Sequence, residues 1–522
     1  MNSANLALQK TRLRFQLEVD VTRIKPSTPI EFAKPAKDVS DRIVGASQEL
    51  TAQLVEALAK ICPTTTDLAD RLEHSRDWWP LAMHWSLAGK TARRAGAICR
   101  PTTTTQVSQV VGVCAKSSVP VTVAGGRSGV CGAAIPVFGG VVVDTTELSG
   151  VVGVDEKSGL VEVLPGTFGP DLENEINTKH KLSVGHFPQS FDISTVGGWI
   201  GSRGAGQFST RYGKIDDMVA GLEVVLADGT IVNTGVEPAG SAGPNLTSLF
   251  IGSEGTLGIV TKVWLRAHPL PQCTKKMAFK FASFAAGVEA MRTAIRHGAT
   301  PAVLRLYDAR ESKRSHGGEN EQCTLIVLDE GTETIVDATC QVVREAALAN
   351  AAIETESGLV DNWLAHRNDT SGLQILARRG FVIDTMEVAV KWSRIDRVAQ
   401  AVKDAIMKVA GARSATCHIS HSYIDGACVY FTFVAEPADQ EIGSIEAKYD
   451  EIWNAAQESA LQFGANLSHH HGVGINRAKY LKQALGPAHE ILRSLKRALD
   501  PNDVLNPGKF ALPSRHGDYE IG

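Results

Sequence analysis

Four glycine-rich segments between residues 125 and 258 constrain the fold of this 522-residue chain more than any other feature. They read GGRS at 125–128, STVGG at 194–198, GSRGAG at 201–206 and GSEGTLG at 252–258. Closely spaced glycines expose backbone N–H groups and let the chain approach an anion. One such loop is usually only a turn, whereas four in one region favour a site for a large anionic ligand such as a diphosphate.

The arrangement of these glycines disfavours two common nucleotide folds. The chain has no GxGxxG after a strand and no GxxxxGK[ST], which argues against a Rossmann or P-loop site. The elements around the glycines are short. A buried strand at 119–123 runs into the first loop, and residues 222–226 and 230–234 flank an Ala-Asp-Gly turn that predicts a hairpin.

The composition is that of an ordinary globular protein, with 43% hydrophobic and 21% charged residues. The net charge of -4 gives no reason to expect nucleic acid as a partner. The nine cysteines are scattered without a CxxC, so we expect reduced thiols and no metal. The first residues, MNSANLALQK, lack the long apolar stretch that a signal peptide needs, and no run of ~18 apolar residues occurs in the sequence. We therefore expect a cytoplasmic protein, and a peripheral membrane contact stays open.

The order of strand-like and helical stretches along the chain predicts an α+β fold in four segments. Residues 1–94 form a mostly helical lead-in, and residues 95–272 hold the glycine loops among short strands. Residues 273–465 alternate strands with helices and form a second domain. Residues 466–522 return to a glycine-marked loop and end in a helix.

The glycine segments resemble the FAD-binding half of the vanillyl-alcohol-oxidase flavoproteins. The matching stretches are VAGGRS at 123–128, STVGG at 194–198 and GSEGTLGIVT at 252–261, and they occur in family order. DPNDVLNPGK at 500–509 is similar to the C-terminal segment of the glycolate and D-lactate branch. The resemblance implies a two-subdomain PCMH-type FAD-binding domain. It also implies a cap domain, with an antiparallel sheet flanked by helices, that covers the isoalloxazine.

The resemblance also assigns the FAD contacts. The diphosphate loop carries over to 122–128, the ring and ribityl contacts to 189–195 and 202–205, and a later contact to 253–260. The assigned residues are Thr122, Val123, Ala124, Gly125, Gly126, Arg127, Ser128, Gln189, Ser190, Phe191, Asp192, Ile193, Ser194, Thr195, Ser202, Arg203, Gly204, Ala205, Ser253, Glu254, Gly255, Thr256, Leu257, Gly258, Ile259 and Val260. Members with covalent flavin use a histidine near the first loop. No histidine occurs between residues 85 and 179, so we expect non-covalent FAD.

Two later segments resemble the alkyldihydroxyacetonephosphate synthases within this superfamily. LSHHHGVG at 467–474 carries three histidines where the glycolate and D-lactate branch reads like SGEHG. TCHISHSY at 416–423 looks like the synthases' tyrosine segment, and Arg305 also has its counterpart. The implied reaction exchanges the acyl chain of acyl-dihydroxyacetone phosphate for a fatty alcohol through a flavin N5 adduct, without net redox change.

That reaction assigns roles to five residues. Tyr423 is the expected acid/base, with a pKa lowered by the histidines and by Arg305. His469, His470 and His471 are expected proton carriers or substrate ligands, and Arg305 an anion clamp. From the residues alone, Tyr423 is better explained as a core tyrosine with a satisfied hydroxyl, and Arg305 as an ordinary surface or salt-bridged arginine. Neighbours on a strand point to opposite faces, so only His469 and His471 would share a side.

One departure concerns phosphate recognition. The synthases share a substrate-contacting arginine in a Tyr-Leu-Arg-Asp segment, and ungapped counting places Leu373 there. Leucine has no bidentate fork. Arg367, Arg378 or Arg379 could substitute, although their spacing differs.

Three functions therefore stay open at this point. The first is a synthase-like transferase of ether-lipid metabolism, and the second an FAD-dependent oxidase or dehydrogenase of a 2-hydroxy acid or alcohol. The third is a flavin-binding module without catalysis, against which Tyr423 and the three histidines argue. The expected partner is a small-molecule or lipid substrate, and a homodimer is not ruled out.

Overall fold

The computed structural model describes residues 30–317 and 322–521, and the first 29 residues of the predicted lead-in lie outside that range. The fold is α+β, as predicted from the sequence. Three sheets of four, five and seven strands carry most of the hydrophobic core. Within the described range, no helix is both long and apolar enough to cross a lipid bilayer.

The four-stranded sheet leads into the first glycine loop. Its strands, in spatial order, are Thr64–Thr65, Ala97–Cys99, Val141–Asp144 and Val121–Ala124. The last three run parallel. Helices Ala52–Ala59 and Thr104–Lys116 bury Leu58 and Val107 against this sheet. The strand predicted at 119–123 is thus confirmed, although it begins two residues later than predicted. Its carboxyl end leads directly into the first glycine loop at Gly125.

The five-stranded sheet is antiparallel throughout. Its strands, in spatial order, are Ile231–Asn233, Val219–Val225, Ile259–Arg266, Leu160–Val163 and Val151–Asp155. The first two form the predicted hairpin. Helices Gly169–His180 and Val196–Ser202 pack on this sheet, so the second and third glycine loops flank its core.

The seven-stranded sheet, here called the cap sheet, is also antiparallel. Its strands, in spatial order, are Ile353–Thr355, Cys273–Phe281, Cys323–Gly331, Val303–Tyr307, Ala412–Ser422, Gly426–Ala435 and Val382–Lys391. Helices Phe284–Arg296, Glu333–Ala349, Ile395–Lys408 and Ile442–Gln462 cover one face. Successive side chains alternate between faces. Leu304 and Leu306 therefore join the helix-covered core, while Arg305 belongs to the opposite face.

The remaining elements connect these layers. The other helices of at least four residues are Leu68–Glu73, Pro80–Leu87, Ser209–Tyr212, Ile215–Met218, Thr247–Phe250, Ala309–His316, Gly358–His366, Ser371–Arg378, Ala478–Leu485 and His489–Leu499. Short strand pairs join Ser40–Asp41 to Lys90–Thr91, Leu182–Ser183 to His268–Pro269, and Ile43–Gly45 to Tyr519–Ile521. The C-terminal segment bridges back to the first sheet, where Leu505 pairs with Val121. The division into four segments stays a prediction.

Candidate active site

A cleft lies between the glycine loops and the face of the cap sheet that is opposite its four helices. Most of the predicted FAD contacts line it, together with His470, His471, Tyr430 and Leu373. The predicted residues on its wall are Val123, Ala124, Gly125, Gly126, Arg127, Ser128, Gln189, Ser190, Ile193, Ser194, Thr195, Ser202, Gly204, Ala205, Ser253, Glu254, Gly255, Gly258 and Val260. The loops predicted to act together do share one cleft.

The other predicted contacts lie beside the cleft rather than on its wall. These are Thr122, Phe191, Asp192, Arg203, Thr256, Leu257 and Ile259. Leu257 and Ile259 belong to the hydrophobic cores, and Arg203 forms a 2.8 Å salt bridge with Asp216. Their predicted role as FAD contacts stays a prediction.

The first glycine loop needs glycine because other backbone lies against it. A Cβ on Gly125 would lie 2.3 Å from Oγ1 of Thr195, and one on Gly126 would lie 2.2 Å from the carbonyl oxygen of Ile193. Arg127 follows, with no carboxylate within 4 Å among the residues the structure describes. Close-packed backbone amides beside an uncompensated guanidinium suit an anionic dinucleotide, so the residues present fit FAD.

One buried carboxylate holds the histidine loop, residues 468–474. Oε1 of Glu387, on the cap strand Val382–Lys391, accepts backbone N–H bonds from His469 (3.1 Å), His470 (2.9 Å) and His471 (2.7 Å). Its Oε2 accepts from the guanidinium of Arg477. Burial opposes ionisation, but Arg477 and the neighbouring histidines hold the pKa of Glu387 well below its usual value. Glu387 is thus a fixed anion that shapes the loop.

A second carboxylate, from the glycine-rich half of the chain, holds the other end of this loop. The Oε1 atom of Glu254 accepts from the N–H groups of Val473 at 2.6 Å and Gly474 at 3.1 Å. Glu254 follows Ser253 in the fourth glycine segment and also lines the cleft. The histidine loop is therefore tied both to the cap sheet and to the glycine-rich region.

Tyr423 and two of the histidines form a hydrogen-bonded series. The hydroxyl of Tyr423 lies 2.6 Å from Nε2 of His469, and Nδ1 of His469 lies 2.8 Å from Nδ1 of His470. If His469 carries its proton on Nδ1, the tyrosine donates to Nε2 and the series ends at His470 on the cleft wall. The arrangement can carry a proton between Tyr423 and the cleft.

The predicted lowering of the tyrosine pKa is wrong. Burial raises the pKa of Tyr423 well above that of a free phenol. Burial, with Lys214 nearby, lowers the pKa of His469 to about 3, so this histidine is neutral at pH 7 and supplies no positive charge. Arg305, the other cation invoked, contacts His418 instead.

The predicted sidedness of the histidines is also wrong. The loop is not a strand, so the alternation rule does not apply, and the His469 and His470 rings meet. A register shift between Ile419 and His421 re-aims the cap strand, so that the His421 ring lies 4.9 Å from that of His469.

His421, Cys428, His469 and His470 place their ligand atoms within 4.8 Å of one another. These are donor types that zinc accepts, although both ring nitrogens of His469 already contact Tyr423 and His470. The expectation of no metal stays a prediction, and elemental analysis of the purified protein would decide it.

Arg305 contacts His418 and not the histidine loop. Its Nη2 is 2.7 Å from Nε2 of His418, whose ring stacks on Tyr430 at 4.9 Å. Tyr430 in turn lines the cleft. Leu373 lines the cleft as well, so the position of the family's arginine faces the site but offers no charge.

The sequence interpretation missed several residues. Lys214 donates to the carbonyl oxygen of His469 at 2.7 Å, and Glu387 and Arg477 form the buried pair beneath the loop. One signal was readable: Glu387 is an acidic residue between the apolar Met386 and Val388 of a strand. A buried carboxylate needs partners, but the sequence does not show which ones.

Comparisons with known proteins agree with this arrangement. A family model described as "FAD binding domain" matches residues 95–235, and one described as "FAD linked oxidases, C-terminal domain" matches residues 270–510. An alkyldihydroxyacetonephosphate synthase of Dictyostelium discoideum is 29% identical over 457 residues, covering 81% of this chain and 74% of that protein. The glycolate oxidase subunit GlcD of Bacillus subtilis is 29% identical over 435 residues, covering 80% and 90%.

Another relative and one solved structure complete the comparison. The uncharacterized FAD-linked oxidoreductase YgcU of Escherichia coli is 30% identical over 383 residues, covering 70% of this chain and 78% of that protein. A solved alkyldihydroxyacetonephosphate synthase structure superposes with a TM-score of 0.77 at 24% identity, covering 93% of this chain and 90% of that one. This superposition establishes a shared fold. With the family models and YgcU, it shows that the chain belongs to the FAD-linked oxidase family, whose members are enzymes.

Proposed function

We propose that this enzyme is an FAD-dependent transferase of ether-lipid synthesis, similar to the alkyldihydroxyacetonephosphate synthases. It exchanges the acyl chain of acyl-dihydroxyacetone phosphate for a fatty alcohol and releases a fatty acid. The observation that carries the proposal is the series from Tyr423 through His469 to His470, which ends on the cleft wall.

The residues of the chain act on protons in this proposal. Tyr423 is protonated at neutral pH, because burial raises its pKa. The proton of the carbon next to the substrate ketone enters the series at His470, on the cleft wall, and is relayed through the neutral His469 towards Tyr423. The return of that proton completes the exchange. When bound, FAD supplies the electrophilic ring at which the substrate carbon reacts.

We also propose that FAD is held without a covalent bond. Residues 123–128 of the first glycine loop, which line the cleft, contain no histidine, cysteine or tyrosine. The intact mass of the denatured protein should then equal that of the 55.8 kDa polypeptide. A mass increased by one FAD would contradict this proposal.

A second candidate is an FAD-dependent oxidase or dehydrogenase of a 2-hydroxy acid. The similarity to the glycolate oxidase subunit and the leucine at position 373 both favour it. Anaerobic mixing separates the two functions. We expect D-lactate and glycolate to leave the flavin spectrum oxidised, whereas rapid bleaching by either acid would contradict the transferase proposal.

A further inference from the structure

Two arginines converge on one tryptophan beneath the cap sheet. Arg305 lies on the strand Val303–Tyr307, and Arg367 directly follows the helix Gly358–His366. Their guanidinium carbons lie 5.4 and 5.7 Å from the ring centroid of Trp363. Two segments more than 50 residues apart therefore bring two cations to one place.

Neither cation is neutralised by a direct partner. Within residues 30–317 and 322–521, no carboxylate lies within 4 Å of either guanidinium. Arg305 contacts neutral groups, namely Nε2 of His418 at 2.7 Å and the Tyr307 hydroxyl at 3.2 Å. Glu311, whose pKa His418 and, to a smaller extent, Arg305 help to lower, is engaged by Nδ1 of His418 at 2.9 Å.

Arg367 is surrounded largely by aromatic rings. Its guanidinium lies 5.1 Å from the Phe208 ring and 5.6 Å from the Phe187 ring. Burial lowers the pKa of Arg367 to about 10, with Glu330 and Asp192 opposing at longer range, so it stays protonated at pH 7. Aromatic faces attract a cation but do not cancel its charge.

Hydrogen-bonding capacity is also unused at this place. Nη1 of Arg367 is buried and has no partner among the described residues. The same holds for Oε1 of the buried Gln207, whose Nε2 lies 3.4 Å from the carbonyl oxygen of Arg367. Buried polar atoms without partners are costly. A bound anion would satisfy Nη1 of Arg367, whereas Oε1 of Gln207 accepts and needs a donor group of the same ligand.

This place adjoins the cleft on two sides. His418, which contacts Arg305, stacks on Tyr430 of the cleft wall. Phe187, under Arg367, directly precedes Pro188 and Gln189, which line the cleft. Neither arginine is itself on the cleft wall, so a substrate group held by them would have to reach past Tyr430 and Phe187.

We propose that Arg305 and Arg367 together bind the phosphate group of the substrate, and that Arg367 compensates for the leucine at position 373. This inference rests on the proposed function, because it assigns the anionic end of the same substrate. Two uncompensated guanidinium groups match a dianionic phosphate monoester better than a single carboxylate. Each offers a planar fork that fits phosphate oxygens.

Isothermal titration of the FAD-loaded enzyme with dihydroxyacetone phosphate tests the proposal. We expect Arg367→Gln and Arg305→Gln each to raise the Kd by at least about tenfold, because each loses charge-assisted hydrogen bonds. Arg413→Gln is the matched control, since Arg413 is exposed, pairs with Glu436 and is not on the cleft wall. Its Kd should stay within about twofold. Glycolate, which has one carboxylate, should bind more weakly than dihydroxyacetone phosphate.

The same titration defines what overturns the proposal. An Arg367→Gln protein with wild-type flavin content, melting temperature and Kd would refute it. Inorganic phosphate binding as tightly as dihydroxyacetone phosphate would also refute it, because the site would then hold free phosphate. If Arg367→Gln does not fold, Arg367→Lys replaces it. That variant keeps the charge but loses the fork, and a Kd equal to wild type would count against the proposal.

Failure of the proposed function would look different. An enzyme that binds dihydroxyacetone phosphate through Arg367 yet exchanges no fatty alcohol would refute the transferase proposal and leave the anion site intact. An enzyme that exchanges fatty alcohol, but whose Kd for dihydroxyacetone phosphate is unchanged in Arg367→Gln, would refute the anion site and leave the transferase proposal intact.

Discussion

The two walls of the cleft are built in different ways. The glycine wall, formed by the four glycine-rich segments, offers backbone atoms to its ligand. Small residues are needed there because the backbone is closely packed, as at Gly126 beside Ile193. The histidine wall, formed by the histidine loop, acts through side chains. Their positions depend on the carboxylates of Glu387 and Glu254, which lie far away in the sequence. A backbone wall can be read from local sequence, whereas a side-chain wall depends on the tertiary fold.

Removing the Tyr423 hydroxyl should give the largest effect, because it breaks the hydrogen-bonded series that ends at His470 on the cleft wall. We expect Tyr423→Phe to lower kcat by about 10²–10⁴-fold, the usual contribution of a positioned acid/base, while FAD stays bound. Tyr480→Phe is the control, since its hydroxyl bonds Asn454 outside the cleft. Steady-state exchange rates measure the difference, and equal rates in the two variants would remove Tyr423 from the mechanism.

Substituting the carboxylate behind the histidines should destabilise the whole protein. Glu387→Gln leaves Arg477 buried without its counter-charge, which costs about 3–5 kcal/mol of unfolding free energy. Glu451→Gln removes an exposed pair with Lys448 and should cost at most about 1 kcal/mol. Urea denaturation compares the two, and similar midpoints would mean that Glu387 is not the anchor of the loop.

Adding one methyl group to the glycine wall should weaken cofactor binding and leave the histidine wall intact. In Gly126→Ala the new Cβ meets the Ile193 carbonyl, and relieving that contact costs about 1–3 kcal/mol. Gly443→Ala is the control, because no atom lies within 4 Å of its Cβ position. Fluorescence titration of the apoprotein with FAD measures both, and matching Kd values would show that the close approach at Gly126 is unimportant.

The smallest expected effect is the pH dependence of the unfolding free energy that arises from proton uptake by His471. Burial lowers the pKa of His471 to about 4 in the folded protein, against about 6.5 in an unfolded chain. The unfolded chain therefore binds the proton first on acidification, so wild type loses stability through this window. Asparagine takes up no proton. Between pH 7.5 and 5.5, wild type should lose about 1 kcal/mol relative to His471→Asn. A pH-independent difference in unfolding free energy would contradict the neutral, buried state of His471.

Much of the fold and of the glycine wall could be predicted from the sequence. Turn residues and short β-branched runs predicted the strand Val121–Ala124 and the hairpin that includes Val219–Val225, because both signals are local in the sequence. The sequence did not predict the contact between His469 and His470, since a bulge and a non-strand loop set those directions. Nor did it predict the raised pKa of Tyr423, which follows from burial known only after folding.

The role proposed for Arg367 could not be predicted from the sequence either. Counting residues from a motif placed Leu373 at the family's arginine position, and Leu373 does line the cleft. The residue that meets Arg305 across Trp363 lies six positions earlier, where spacing alone gave no reason to prefer it. Side chains from different elements can converge on one place without any shared spacing in the sequence.

The most direct test of the account is a single incubation of the purified, FAD-loaded enzyme with acyl-dihydroxyacetone phosphate and radiolabelled fatty alcohol, without any electron acceptor. The account predicts that label enters an ether-linked dihydroxyacetone phosphate while one fatty acid is released for each alcohol incorporated. No incorporation of label by an enzyme whose flavin is rapidly reduced by a 2-hydroxy acid would contradict it.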